Sequence, residues 1–308
     1  MTAAGAASDH RRRILLAYAA LVAGAVAMGA SPVFVRLADV GPYASAFWRT
    51  FLALPFLWTW MRLENGGSAR APPAWPELDR PIVLCGLLFT GDLFFWHLAI
   101  LGTTVANATF LATTSPIWVA LGAWLLLAEA VSRRTFMGLA LCLAGGVALV
   151  GESYGFVPQR LAGDVFGLAT AAFFGAYVLA VRGARARHGA ATLMFASTAI
   201  TAASLFVIAA LFEPQLLPRS FGGLAALVAL AVVSQVGGQG LLSVALGTLP
   251  ATFSSLVIFL EAIAAAAFGW VLLGEALGVA QALGGLFILL GIWIARPRAV
   301  SPAVGTTP

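Results

Sequence analysis

One stretch of this chain is written twice. Leu101–Val150 and Leu246–Ala295 share a text: shifted by 146 positions, Trp124 falls on Trp270, Glu129 on Glu275, Gly138 on Gly284 and Gly145 on Gly291. From Ser115 to Leu149, 10 of 35 aligned positions are identical. Matches of Ala and Leu come cheaply in an apolar chain, whereas matches of Trp, Glu and Gly do not. The same offset holds at the start of each half, where Gly29 meets Gly175 and Arg36 meets Arg182. A repeat of this length means that whatever unit one half forms, the other must form too.

The unit belongs in a bilayer. Of 308 residues, 61% are hydrophobic and 9% charged, where a soluble domain carries about 25% charged residues. Ten apolar runs fall near residues 14–35, 43–61, 81–100, 104–127, 134–151, 162–181, 190–212, 221–244, 250–273 and 278–295. Most approach the ~20 helical residues that span a ~30 Å hydrocarbon core. The run from 14 to 35 follows an Arg cluster but is too long for a secretory leader and reads as a retained first span. The longest loop, Arg62 to Arg80, is polar and rich in Pro and Gly. Cys85 and Cys142 each sit inside an apolar run, which predicts reduced packing residues rather than a disulfide.

The net charge of +5 comes from 17 Arg and no Lys. With the N-terminus placed in the cytoplasm, 13 Arg fall in cytoplasmic segments, 3 on the other side, and Arg49 within a span. This asymmetry is a topology signal and predicts that both termini are cytoplasmic, with no nucleic-acid role. Each half holds five spans. Because five is odd, the second copy enters the membrane upside down relative to the first. The predicted fold is an all-α integral membrane protein of ten transmembrane helices in two inverted five-helix repeats. Residues 1–13 form a cytoplasmic N-terminal segment, 14–151 the first repeat, 162–295 the second, and 296–308 a cytoplasmic tail. Inverted repeats are the architecture of secondary transporters, with a midplane site between the halves and alternating access.

Ionisable groups within spans mark the candidate site, because charge in hydrocarbon is costly. Asp92 lies mid-span in the third run, as a substrate-amine ligand, a protonatable coupling residue or half of an ion pair. Trp96, four residues on, shares its helix face and offers a ring to an aromatic or cationic substrate. Arg49 either pairs with Asp92 or binds a substrate carboxylate, and Trp48, which precedes it, is a further substrate-binding candidate. His97 is either a proton relay or a hydrogen-bonded packing residue. Glu261 sits mid-span in the ninth run and Gln235 and Gln239 share a face of the eighth, the repeat mate of the third. Tyr177, Asn107, Ser31 and Ser115 are further polar candidates. Glu129 and Glu275 lie at span ends and read as structural turn residues. No metal-ligand spacing, phosphate loop or cofactor motif is present, and the deep polar residues are too scattered for a paired nucleophile and base, so the chain is not read as an enzyme. A passive channel would require a continuous polar stripe, which the spans lack.

The order of motifs resembles the drug/metabolite transporter superfamily in its EamA-type branch. Carrying the resemblance are Gly29 with Arg36 seven residues on, the Trp48–Arg49 pair, Pro116 followed by Leu125 to Glu129, Trp270 to Glu275, and the Gly-rich last span. Met28 and Ala262 depart from the usual Trp and Pro, and Ala262 removes the residue that would kink the ninth span. The resemblance implies a carrier in a bacterial inner membrane that exports small metabolites without ATP hydrolysis. In character the chain is similar to the YddG-type exporters of aromatic and other amino acids. A site of aromatic rings with Asp, Glu and Gln suits such a zwitterion, and a drug, nucleoside or sugar derivative is the alternative cargo. The expected partners are a small-molecule substrate and the lipid bilayer; the sequence does not set the oligomeric state, and a chain of ten spans can work as a monomer.

Overall fold

The computed structural model describes residues 3–66, 76–102, 108, 111–126, 131–150, 160–273 and 278–297. Asn107, Glu129 and Glu275, singled out above, lie outside the described residues. Among the described residues all regular structure is helical: α1 (Ala3–Gly29), α2 (Ser31–Leu37), α3 (Pro42–Phe51), α4 (Leu54–Glu64), α5 (Arg80–Gly102), α6 (Ser115–Leu126), α7 (Arg133–Val150), α8 (Leu161–Ala184), α9 (Ala190–Phe212) and α10 (Phe221–Ala229). A π-helical stretch, Leu230–Gln239, continues α10 into α11 (Gly240–Leu246), and α12 (Ala251–Val257), α13 (Leu260–Leu273) and α14 (Val279–Ala295) complete the chain. Among the described residues, six segments are long and apolar enough to cross a bilayer: Ser8–Leu37, Arg80–Ala99, Leu161–Ala184, Ala190–Phe212, Phe221–Leu246 and Ala251–Leu272. Ala and Leu dominate them, and such residues lose little entropy in a helix whose backbone groups must all be satisfied internally in lipid.

Several apolar runs read as continuous are broken. The first breaks between Gly29 and Ser31 and the second between Phe51 and Leu54, with Pro32 and Pro55 near the start of the segment that follows. Proline has no N–H to give the preceding turn, so the ladder stops there. The ninth run also breaks, although Ala262 replaces the proline. Around Ile258 and Phe259 the backbone tightens: Phe259 N donates to Leu256 O at 3.1 Å, Glu261 N to Ile258 O at 2.8 Å and Ala262 N to Phe259 O at 3.1 Å. Ser255 Oγ also donates to Thr252 O at 2.9 Å, a back-bond of the kind that bends helices. Phe259 is 146 positions from Thr113, where a turn precedes α6.

Glycines set the closest helix contacts. α7 lies along α14, where a Cβ on Gly138 would stand 2.5 Å from Gly291 O and one on Gly145 2.5 Å from Gly284 O. Cys142 Sγ reaches Ile288 O at 3.6 Å. Move each partner by 146 into the other half, and the first glycine pair becomes the second, while Cys142 and Ile288 exchange places. α1 meets α13 at Gly29, where a Cβ would face Ala264 Cβ at 2.6 Å and Glu261 O at 2.7 Å. α8 meets α6 at Gly175, where it would face Trp118 Cβ at 2.8 Å and Ser115 O at 3.2 Å. These are the same contacts at the same offset. Small residues permit such approach where no hydrophobic effect drives helices together.

The pair formed by α3–α4 and α9 is tied at both ends. The Glu213 carboxylate, just beyond α9, accepts Tyr43 N at 2.5 Å and Ala44 N at 3.1 Å. Glu64, closing α4, accepts Ala191 N at 3.0 Å and Thr192 N at 3.1 Å. Each carboxylate thus caps the N-terminus of the other helix, against a glycine at the N-cap (Gly41 and Gly189).

Candidate functional site

The helix breaks frame a cavity of about 160 Å³ between the two halves of the chain. α5 contributes one stripe to its wall: Phe89, Asp92, Leu93 and Trp96 lie at i, i+3, i+4 and i+7, so all four face inward. Opposite, Glu261 and Phe259 enter from the break between α12 and α13, Arg49 from α3, Gln239 from the end of the π-helical stretch, and Thr170 and Phe174 from α8. Arg49, Asp92 and Glu261 are the charged groups among the lining residues. Asp92 is 7% exposed, and Arg49 and Glu261 are half-buried. Charge at this depth is retained only where something compensates it.

The arrangement around Arg49 departs from the simple pair weighed above. Among the described residues no ion pair within 4 Å joins Arg49 to Asp92 or Glu261, although all three share the cavity and its field. Arg49 instead donates from Nε to Gln235 Oε1 at 3.1 Å, and its guanidinium carbon lies 5.9 Å from the Phe89 ring centroid. Gln235 is fully buried and donates through Nε2 to Thr198 Oγ1 at 3.3 Å. Gln239 sends Nε2 to Met28 Sδ at 3.3 Å and leaves its Oε1 without a partner among the described residues.

Five of the sequence candidates, Arg49, Asp92, Trp96, Gln239 and Glu261, are brought together, and Ser31 and Ser115 join them. Gln235 stands one layer behind, on Arg49. Three others point elsewhere. Trp48 donates Nε1 to Leu216 O at 2.6 Å among Phe47 and Phe51. Tyr177 is buried with its hydroxyl 3.9 Å from Met194 Sδ and its ring centroid 4.8 Å from that of Phe89, so it backs the cavity wall. His97 is buried with Nδ1 2.5 Å from Leu93 O, one turn back on the same helix, and stands edge-on to Trp96 at 5.0 Å. The rings of Phe89, Phe174 and Phe259 were not singled out from the sequence. Phe89 was findable there, because it completes the helical stripe that Asp92 and Trp96 begin. Among the described residues no group of three His, Cys, Asp or Glu side chains is placed to hold a metal.

The profile of the EamA-like transporter family matches the chain twice, over residues 15–151 and again over 161–296. The chain belongs to the EamA-like transporter family. This transporter is a multi-pass membrane protein of the drug/metabolite transporter superfamily, acting on a small-molecule substrate in a lipid environment. It is 26% identical over 299 residues to a protein of Archaeoglobus fulgidus described as an uncharacterized transporter, covering 94% of this chain and 99% of that one. A solved crystal structure at 21% identity superposes with a TM-score of 0.77, covering 92% of this chain and 98% of the other, and shows the shared fold.

Proposed function

We propose that this EamA-family transporter is a secondary carrier exporting amino acids with aromatic or other apolar side chains, by alternating access around the central cavity. The observation that carries the reading is the cavity's composition. One guanidinium and two carboxylates line a space shared with small polar residues and with the rings of Phe89, Trp96, Phe174 and Phe259. A zwitterion with an apolar side chain presents complementary chemistry: an ammonium for Asp92 and Glu261, and a ring or alkyl group for the aromatic walls. In this reading Trp48, Tyr177 and His97 hold the wall in place.

The interchanging glycine contacts support two inverted halves, residues 14–151 and 162–295, of five spans each. A cavity at the junction of such halves is where alternating access operates. The Arg asymmetry supports cytoplasmic termini, and the family resemblance is what supports a bacterial inner membrane.

The test is counterflow in proteoliposomes of the full chain, with labelled phenylalanine and tryptophan. Saturable exchange of both is expected, weakened by Trp96→Ala. Exchange of a labelled nucleoside or sugar derivative with neither amino acid would overturn the substrate assignment in favour of another cargo.

A further inference from the structure

Arg49 is held on one edge only. Its Nε is spent on Gln235, whose own amide is fixed by Thr198, and Phe89 lies beside the guanidinium. Nη1 and Nη2, four N–H donors in a planar fork, make no hydrogen bond to a described residue, and Arg49 lines the cavity. A half-buried cation with its terminal donors unspent, and both neighbouring carboxylates beyond ion-pair distance, is a site awaiting an anion. The charge around it narrows which anion. Asp92 and Glu261 line the same space, so a ligand carrying only negative charge is repelled there, while one bearing an ammonium beside its carboxylate is balanced at both ends.

Resting on the amino-acid reading above, we infer that Arg49 is the carboxylate-recognising end of the site, and that Gln235 is the positioning residue that turns its Nη1/Nη2 edge toward the substrate. The substrate class is thereby an α-amino acid with its carboxylate free. Amines, esters and amides lacking that charge are excluded, as are keto acids lacking the ammonium. The assignment also accounts for Gln235, which is fully buried, does not line the cavity, and sits where the π-helical turns set its register against α3. A π-bulge is commonly found where a side chain must be re-aimed at a functional site.

The experiment is counterflow of labelled phenylalanine in proteoliposomes, competed by unlabelled phenylalanine, phenylalaninamide, phenethylamine and phenylpyruvate. Only phenylalanine is expected to compete effectively; equal competition by the amide or the amine overturns the inference without any variant. In Gln235→Leu the half-saturating concentration is expected to rise about tenfold, the scale of one charge-assisted hydrogen bond, with maximal rate retained. Arg49→Lys, which keeps the charge but not the planar fork, does not reproduce the wild type. An unchanged half-saturating concentration in Gln235→Leu overturns the positioning role even if phenylalanine is carried. If no α-amino acid is exchanged by the wild type, the amino-acid reading falls, and this inference with it.

Discussion

At the scale of single residues, Asp92 and Glu261 are the two acids that line the cavity together with Arg49. Asp92, Gln239 and Glu261 were recoverable from the sequence because an ionisable or amide group deep in an apolar run has few reasons to be there except a cavity, and Trp96 because it shares the helix face of Asp92. Trp48, Tyr177 and His97 satisfied the same reasoning and yet face away from the cavity, each spending its polar atom on a neighbour. Sequence spacing gives a helix face but not the rotation of that face against its neighbours, and the rotation decides this. The two carboxylates carry a prediction. If they receive the substrate ammonium, Asp92→Asn and Glu261→Gln should each raise the half-saturating concentration for phenylalanine roughly ten- to a hundredfold in proteoliposome counterflow, since hydrogen bonds to a charged group are worth ~1.5–3 kcal/mol. Phenylalanine handled normally by both variants would remove them from the ammonium site.

At the scale of elements, the apolar runs announced where helices would lie, and helices occupy those runs wherever they are described. The interruptions were less legible. Two have prolines that could have been read; the break near Ile258 has none and rests on tightened backbone bonds and a serine back-bond. The glycines at crossings were visible as a class but not as pairs. Gly29 is the most consequential of them, because a methyl there would strike Ala264 Cβ and the carbonyl of Glu261 itself. Backbone cannot rotate out of the way as a side chain end can, so α13 would have to shift, an overpacking cost of about 1–3 kcal/mol. Gly29→Ala is therefore expected to lower the melting temperature in detergent and also to weaken substrate binding by displacing Glu261. Gly183→Ala is the control, because a Cβ there meets nothing within 4 Å. Equal behaviour of the two variants would show that the crossing at Gly29 is looser than its geometry implies.

At the scale of the whole molecule, the repeat was the most legible feature, since one offset relates both the sequence matches and the contacts at Gly138, Gly145, Gly29 and Gly175. The two carboxylate caps on α3–α4 and α9 were not legible, because Glu64 and Glu213 stand at loop edges where an acid needs no explanation. They have a consequence for how such a molecule can move. A gate that alternates should be closed at one end and open at the other, yet both caps are formed in the same structure. The helix pair is thus clamped at both ends, and on the alternating-access reading proposed above, access to the cavity comes from the helices around it. An N-terminal cap contributes about 0.5–2 kcal/mol, and the two caps share no partner, so their effects should add. Glu64→Ala and Glu213→Ala are each expected to lower the melting temperature, the double variant by the sum. Labelling of a cysteine placed at Ser255, in the cavity wall, should reach it from each side of the membrane as in the unaltered background. If removing one cap instead biased labelling toward one side, that cap would be a gate, and α3–α4 with α9 would belong to the moving part of the carrier.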